Sequence, residues 1–233
     1  MRGQGPESDP LKLSMDWTVE DLEKPQILVD DVWGDALPGS YHLLKLSEMV
    51  CKGVYAAGGK PSNFHVTDMC DGIAQGTEGM DYSLLSREII CDMIEIHWKT
   101  QPLDAMVLLS SCDKGVPAQL KAMARLHDVP AIHVPGGTMM EGPGMFTLER
   151  VGTIYAQFRR NEIPKEDYLF LQRNACPTVG CCSFMGTANT MQAMAEALGL
   201  AMPTSASMPA FMDDIRQNAA ACGRRVMGML EEG

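Results

Sequence analysis

Two hydrophobic rhythms alternate along the chain. Short unbroken apolar runs are followed by longer stretches in which apolar residues return every three or four positions, the marks of buried strands and one-sided helices. Pro25–Asp31 (PQILVDD) reads as a strand. Tyr41–Gly59 reads as a helix whose Leu43, Leu46, Val50 and Val54 share a stripe and which Gly58-Gly59 ends. Asn63–Met69 is a strand candidate and Asp71–Asp81 a loop. Ser83–Trp98 follows as an amphipathic helix with Leu84, Ile89, Met93 and Ile96 expected on its buried side. Asp104–Ser110 (DAMVLLS) is the clearest buried strand, and Val116–Leu126 is the helix after it, with Pro117 suited to its first turn. Pro130–Pro135 is the next strand and Phe184–Leu200 a further helix, with Met185, Ala188, Met191, Ala195 and Leu198 on one side. Strands alternating with helices predict an α/β domain with a mainly parallel sheet flanked by helices.

In such sheets ligands bind beyond the carboxyl ends of the strands. Cys70-Asp71 and Cys112-Asp113 both fall at a predicted strand-to-helix exit. Each pair sets a soft sulfur donor beside a hard oxygen donor. Thiolates suit iron–sulfur clusters, zinc or copper, and carboxylates suit magnesium, calcium or manganese. A further cysteine group lies in Ala175–Asn189 (ACPTVGCCSFMGTAN), just before a helix. No C-x-x-C occurs, and the separations between these cysteines are too wide for a zinc knuckle. Spacing alone leaves metal ligands and buried thiols both open.

Composition narrows the picture. The 233 residues are 45% hydrophobic, enough for one substantial core. A formal net charge of -11 argues against nucleic acid and anionic membranes as partners, but not against a small anionic substrate. No run of about 18 apolar residues is present. Residues 1–21 read as a polar lead-in without an apolar signal core, and residues 22–233 as the domain, so the cytoplasm is the expected compartment. A reducing compartment makes the eight cysteines thiols, metal ligands or catalytic groups rather than disulfides. Most of the nineteen methionines need no role beyond core filling.

Four long stretches resemble the dihydroxy-acid dehydratase and sugar-acid dehydratase family, in the family's order. They are EDLEKPQILVDD with PGSYHLLKL, AAGGKPSNFHVTDMCDGIAQGTEGMDYSLLSREII, SCDKGVPAQLKAMARL with PAIHVPGG, and ACPTVGCCSFMGTANTMQAMAEALGLAMPTSA. The resemblance runs from about Leu22 to the end. It implies a hydro-lyase that dehydrates a 2,3-dihydroxy carboxylic acid to a 2-keto acid. Dihydroxy-acid dehydratase, of branched-chain amino acid biosynthesis, is the favoured activity and sugar-acid dehydratase the alternative.

The resemblance also implies an iron–sulfur cluster on Cys70, Cys112 and Cys182, with Cys181 the alternative third ligand. The CDG form of the first motif favours [4Fe–4S] over [2Fe–2S]. Asp71, Asp113 and a carbamylated Lys114 match the family's Mg2+ ligands. Carbamylation needs a neutral amine, so a lowered Lys114 pKa is expected. Family members carry a second, mostly β domain with another magnesium ligand and a serine base, and nothing in this sequence matches it. The expected partners are therefore the small-molecule acid and either a second copy or a separate C-terminal-domain partner. A non-catalytic cluster-binding fragment, half of a split enzyme and a zinc protein are the competing readings.

The remaining candidates take plainer roles. Cys51, Cys91 and Cys222 read as buried structural thiols. Cys176 lies in the functional loop but off the ligand position. His42 reads as a pocket residue or a surface histidine at a helix start, and His65, His97, His127 and His133 have no partner pattern. The GGTMMEGPG stretch reads as a turn before an anion cradle, and Ser83 as a helix cap.

Overall fold

A computed structural model describes residues 5–232; residues 1–4 of the lead-in and Gly233 lie outside the described residues. Helices α1 (Ser8–Leu13) and α2 (Val19–Glu23) lead into β1 (Gln26–Asp31), α3 (Leu43–Ala56) and β2 (Lys60–His65). A short α4 (Asp71–Ala74) and a 3-10 turn (Glu78–Tyr82) precede α5 (Ser83–Lys99), β3 (Ala105–Ser110), α6 (Gly115–Arg125) and β4 (Ala131–Pro135). The chain continues through α7 (Arg150–Arg159), α8 (Lys165–Asn174), α9 (Thr187–Ala197), a second 3-10 turn (Ser205–Ser207) and α10 (Asp213–Glu232).

The four strands form one parallel sheet in the order β2-β1-β3-β4. Parallel pairing puts every strand's carboxyl end on one edge, so all strand-to-helix loops open on the same side. β1 and β3 are central and buried throughout. Their Ile, Leu and Val side chains each contribute about 1.5–3 kcal/mol by leaving water. β2 is an edge strand, which is why Pro61 is tolerated in it.

The two aspartates that end β1 reveal the layers. Neighbouring strand residues point to opposite faces. Asp30 accepts from His97 Nδ1 of α5 (2.7 Å), whereas Asp31 accepts from Ser47 of α3 and from His65 Nδ1 of β2 (2.6 Å). Thus α5, with α6 against it, covers one face, and α3, with α10 against it, covers the other. α10 crosses α3 where two glycines meet the opposite backbone. A Cβ on Gly53 would overlap Ala220 O, and one on Gly223 would overlap Val50 O.

Several expectations need correction. The edge strand begins at Lys60 and ends at His65, because pairing with β1 runs only from Gln26↔Lys60 to Asp31↔His65. The Asp71–Asp81 loop holds α4 and most of a 3-10 turn. α5 buries Ile90, Cys91 and Ile94, while Leu84 (63%), Ile89 and Ile96 (57%) are exposed and Met93 is half-buried. Both faces of α5 are apolar, and the sheet takes the one that carries Ile90, Ile94 and His97, whose imidazole meets Asp30. In α9, Ala188 and Ala195 are buried beside Gln192, Met191 packs against the core, and Met185 and Leu198 lie exposed beyond the helix ends.

The histidines are less plain than their sequence context. His65 and His97 serve buried aspartates, His133 is fully buried, and His42 is buried rather than on the surface. Cys91 and Cys222 are fully buried, and Cys51 is half-buried against the core.

Candidate functional site

The site is built from the loops at the carboxyl edge of the sheet. Beyond β2 the chain runs extended to Cys70, which precedes the first turn of α4, and Asp71 begins that turn. Beyond β3 come Cys112 and Asp113, with Lys114 at the residue before α6. Lys114 Nζ donates to Asp71 Oδ2 (2.7 Å) and to Asp113 Oδ2 (2.6 Å), so it ties the two strand exits together. Ser83 Oγ donates to Asp71 Oδ1 (3.0 Å) and so does more than begin α5.

A hub loop stitches the rest together. Ser111 Oγ donates to Gly39 O (2.5 Å), and a Cβ on Gly39 would overlap Cys112 Sγ. Ser40 Oγ donates to Asp68 Oδ2 (3.3 Å), and His42 donates from Nε2 to Gly136 O (2.6 Å). Gly180 N donates to Pro38 O (2.9 Å). The loop between β1 and α3 therefore touches the Cys70 side, the Cys112 side, the exit of β4 and the 175–186 loop.

That last loop is fastened to the exit of β4. Cys181 N donates to Gly137 O (3.0 Å), Met139 N donates to Cys181 O (2.8 Å), and Thr138 Oγ1 donates to Cys182 O (2.9 Å). Gly180, at φ +119, leaves the space this close approach needs. The GGTMMEGPG amides at Gly137 and Met139 are used in this packing, which makes the stretch a backbone crossing.

Electrostatics bind the groups further. Burial pushes the Cys112 thiol well above its ordinary range, with Asp68, Cys70 and Cys181 adding to the effect. Burial lifts Cys182 to about 11, and the charges of Cys70, Asp113 and Cys176 push the same way. Cys181 rises to about 12 through burial, against the pull of Gln192. Burial also lifts the exposed Cys176 thiol, helped by Cys70. Cys70, Cys112, Cys176, Cys181 and Cys182 are all free thiols.

The carboxylates divide. Burial opposes ionisation of Asp71, but the hydrogen bonds from Lys114 and Ser83 outweigh it and hold its pKa down. Burial raises Asp113 despite Lys114. Lys114 departs from expectation. Burial pulls its ammonium down, but Asp113 and Asp71 together outweigh that pull, and its pKa is raised.

Asp68 is a residue the motifs did not single out. Burial carries its carboxyl up to about 7, against hydrogen bonds from Met69 N and Ser40, with Asp113 and Asp71 adding to the rise. The signal was an acid three positions before Asp71. Gly39, Ser40, Asn189 and Gln192 were also missed, because nothing local marks them.

The donor set suits a soft cluster beside a hard cation. Cys70 is a free thiol, and the bare Gly39 leaves room for Cys112 Sγ. Oxygen donors gather at Lys114. Among the described residues, no three His, Cys, Asp or Glu side chains stand as a metal-binding group. A cavity of about 610 Å3 opens beside the cysteine loop, between Thr138, Ser183, Phe184, Asn189, Glu196 and Ser207. Asp71, Asp113 and Lys114 do not line it.

The dihydroxy-acid/6-phosphogluconate dehydratase N-terminal family model matches residues 24–233. A dihydroxy-acid dehydratase of Caldanaerobacter subterraneus subsp. tengcongensis is 42% identical over 217 residues, covering 92% of this chain and 39% of that protein. One of Methanothermobacter thermautotrophicus is 42% identical over 224 residues, covering 92% and 40%. One of Pyrococcus abyssi is 39% identical over 228 residues, covering 94% and 40%. The chain spans about 40% of the length of these relatives. Parallel strands that end on one edge, and Asp71 and Asp113 joined there by Lys114, agree with these matches: the chain belongs to the dihydroxy-acid/6-phosphogluconate dehydratase N-terminal family.

Proposed function

We propose that this chain is the metal-bearing portion of a hydro-lyase acting on a 2,3-dihydroxy carboxylic acid, most directly a branched-chain dihydroxy acid. In this reading Cys70, Cys112 and Cys182 hold an iron–sulfur cluster, [4Fe–4S] in preference to [2Fe–2S]. Asp71, Asp113 and carbamylated Lys114 hold Mg2+. The observation that carries the reading is Lys114 Nζ bridging Asp71 and Asp113 across two strand exits, each beside a cysteine.

The reaction breaks the C3–O bond, releases water and moves the C2 proton to a base; the resulting enol becomes the 2-keto acid. Bound here, the two metal centres would supply Lewis acidity to the leaving 3-hydroxyl and to the carboxylate and 2-hydroxyl.

The chain's own residues set the stage. Ser83 holds one oxygen of Asp71, leaving the other directed toward Lys114. Asp113 reaches the same amine. Lys114 must first lose its proton and leave both carboxylates before it can take up carbon dioxide, a step its raised pKa opposes. The thiols must likewise give up protons, so cluster assembly releases acid. His42 is fixed on Gly136 and favoured neutral through burial.

A second reading is cluster binding with little turnover; the raised Lys114 pKa, which opposes carbamylation, is the observation that favours it. A separate C-terminal-domain partner or a second copy would then complete the site. The same chemistry serves a sugar acid. Neither reading calls for nucleic acid, and no described helix is long and apolar enough to cross a membrane; the cytoplasm is the proposed compartment. The test is anaerobic reconstitution followed by assay of 2-keto acid formation from 2,3-dihydroxyisovalerate and from gluconate, with and without the rest of a relative's chain. Turnover of the first substrate on addition supports the reading. Bound cluster with no turnover of either substrate under any condition leaves the non-catalytic one.

A further inference from the structure

Cys181 and Cys182 are neighbours in sequence but meet different surroundings. Cys181 is buried, and its thiol is used in both directions: it donates to Asn189 Oδ1 (3.0 Å) and accepts from Gln192 Nε2 (3.0 Å). Gln192 is itself fixed, since its Oε1 accepts from Gly137 N (2.8 Å). Cys182 has its carbonyl held instead, by Asn189 Nδ2 (2.8 Å) and by Thr138 Oγ1 (2.9 Å). Asn189 Nδ2 also donates to Phe184 O (2.6 Å). Among the described residues no hydrogen bond engages the Cys182 thiol.

One amide thus grips both sides of the doublet. Asn189 sits in the first turn of α9, where a polar side chain ordinarily reaches back to the backbone N–H of the helix cap. Here its amide group donates to two loop carbonyls instead, and its oxygen takes up the buried thiol. We propose that Asn189 is a positioning residue that divides the doublet, holding Cys181 inward as a brace so that Cys182 is presented to the crevice. This rests on the proposed cluster reading in one respect only, that Cys182 is the thiol put to use. As a ligand, Cys181 would have to give up its S–H bond to Asn189 and vacate a buried niche.

The experiment has two arms. In the metal-free chain, iodoacetamide labelling mapped by mass spectrometry measures each thiol. Wild type should label Cys182 at least about tenfold faster than Cys181, the scale of one hydrogen bond. Asn189→Ala should bring the two rates together. Asn189→Asp keeps the acceptor for Cys181 and loses both donors, so it should free the Cys182 segment and leave Cys181 protected. Far-UV circular dichroism checks that each variant is folded.

In the reconstituted chain, Cys181→Ser should keep wild-type iron and sulfide content, and Cys182→Ser should lose it. Asn189→Ala should release iron to a chelator about tenfold faster, again the scale of one hydrogen bond. An Asn189→Ala chain with the wild-type labelling ratio overturns the proposal. So does a cluster that survives Cys182→Ser and is lost in Cys181→Ser. If wild type takes up no cluster, the functional reading fails, and the labelling arm still decides the role of Asn189.

Discussion

Gly39 has no side chain, and the Cys112 thiol occupies the space a methyl group would fill. A thiol can escape such a clash by rotating, at little cost to the fold. Gly39→Ala is therefore expected to remain folded and close to wild type in thermal stability, yet to lose most of its reconstituted iron. Gly34→Ala, whose methyl meets nothing, should behave as wild type in both measurements. His133 gives a residue-scale effect on stability. Burial alone holds its imidazole neutral down to about 3. The unfolded chain takes up that proton from about pH 6.5 downward. The contribution is full above that pH and is lost as pH falls from about 6.5 toward 3. Urea midpoints of wild type should fall more steeply across the upper part of this window than those of His133→Gln. Equal slopes would mean that His133 is solvated in the folded state.

The helix pair α3 and α10 tests the fold against local propensity. Gly53→Ala should help an isolated helix by about 1 kcal/mol. Here its methyl would meet the carbonyl of Ala220, which cannot rotate away, so the variant should lose on the order of 1–3 kcal/mol in chemical denaturation. A more stable variant would contradict the crossing. The same pair shows what the sequence withheld. The central strands and α3 were legible because each has one periodicity and clear turn residues at its ends. α10 carries an equally regular stripe of Ile215, Ala219, Cys222 and Val226, but it went unread among its charges. The buried face of α5 could not be chosen locally, because both faces are apolar and Asp30, more than fifty positions away, decides between them. The cysteine and aspartate motifs were visible as words. What holds them, Gly39 under Cys112 and Asn189 on the doublet, comes from contacts between distant segments that no local pattern encodes.

On the scale of the molecule, one parallel sheet opens its strand-exit loops on one edge, the 175–186 loop is fastened to the exit of β4, and the β1–α3 loop touches both. The exposed Leu84, Ile89 and Ile96 of α5 take no part in the contacts that join these loops. The central claim is that Cys70, Cys112 and Cys182, drawn from three separate loops, bind one iron–sulfur cluster. The most direct measurement is iron and acid-labile sulfide per chain, with Mössbauer spectra, after anaerobic reconstitution of wild type and of the three single Cys→Ser variants. The account predicts a cluster in wild type, [4Fe–4S] by its spectrum, and loss of most iron in each of the three variants. A chain that instead binds tetrahedral zinc without visible absorbance, or a cluster indifferent to Cys112→Ser, would contradict it.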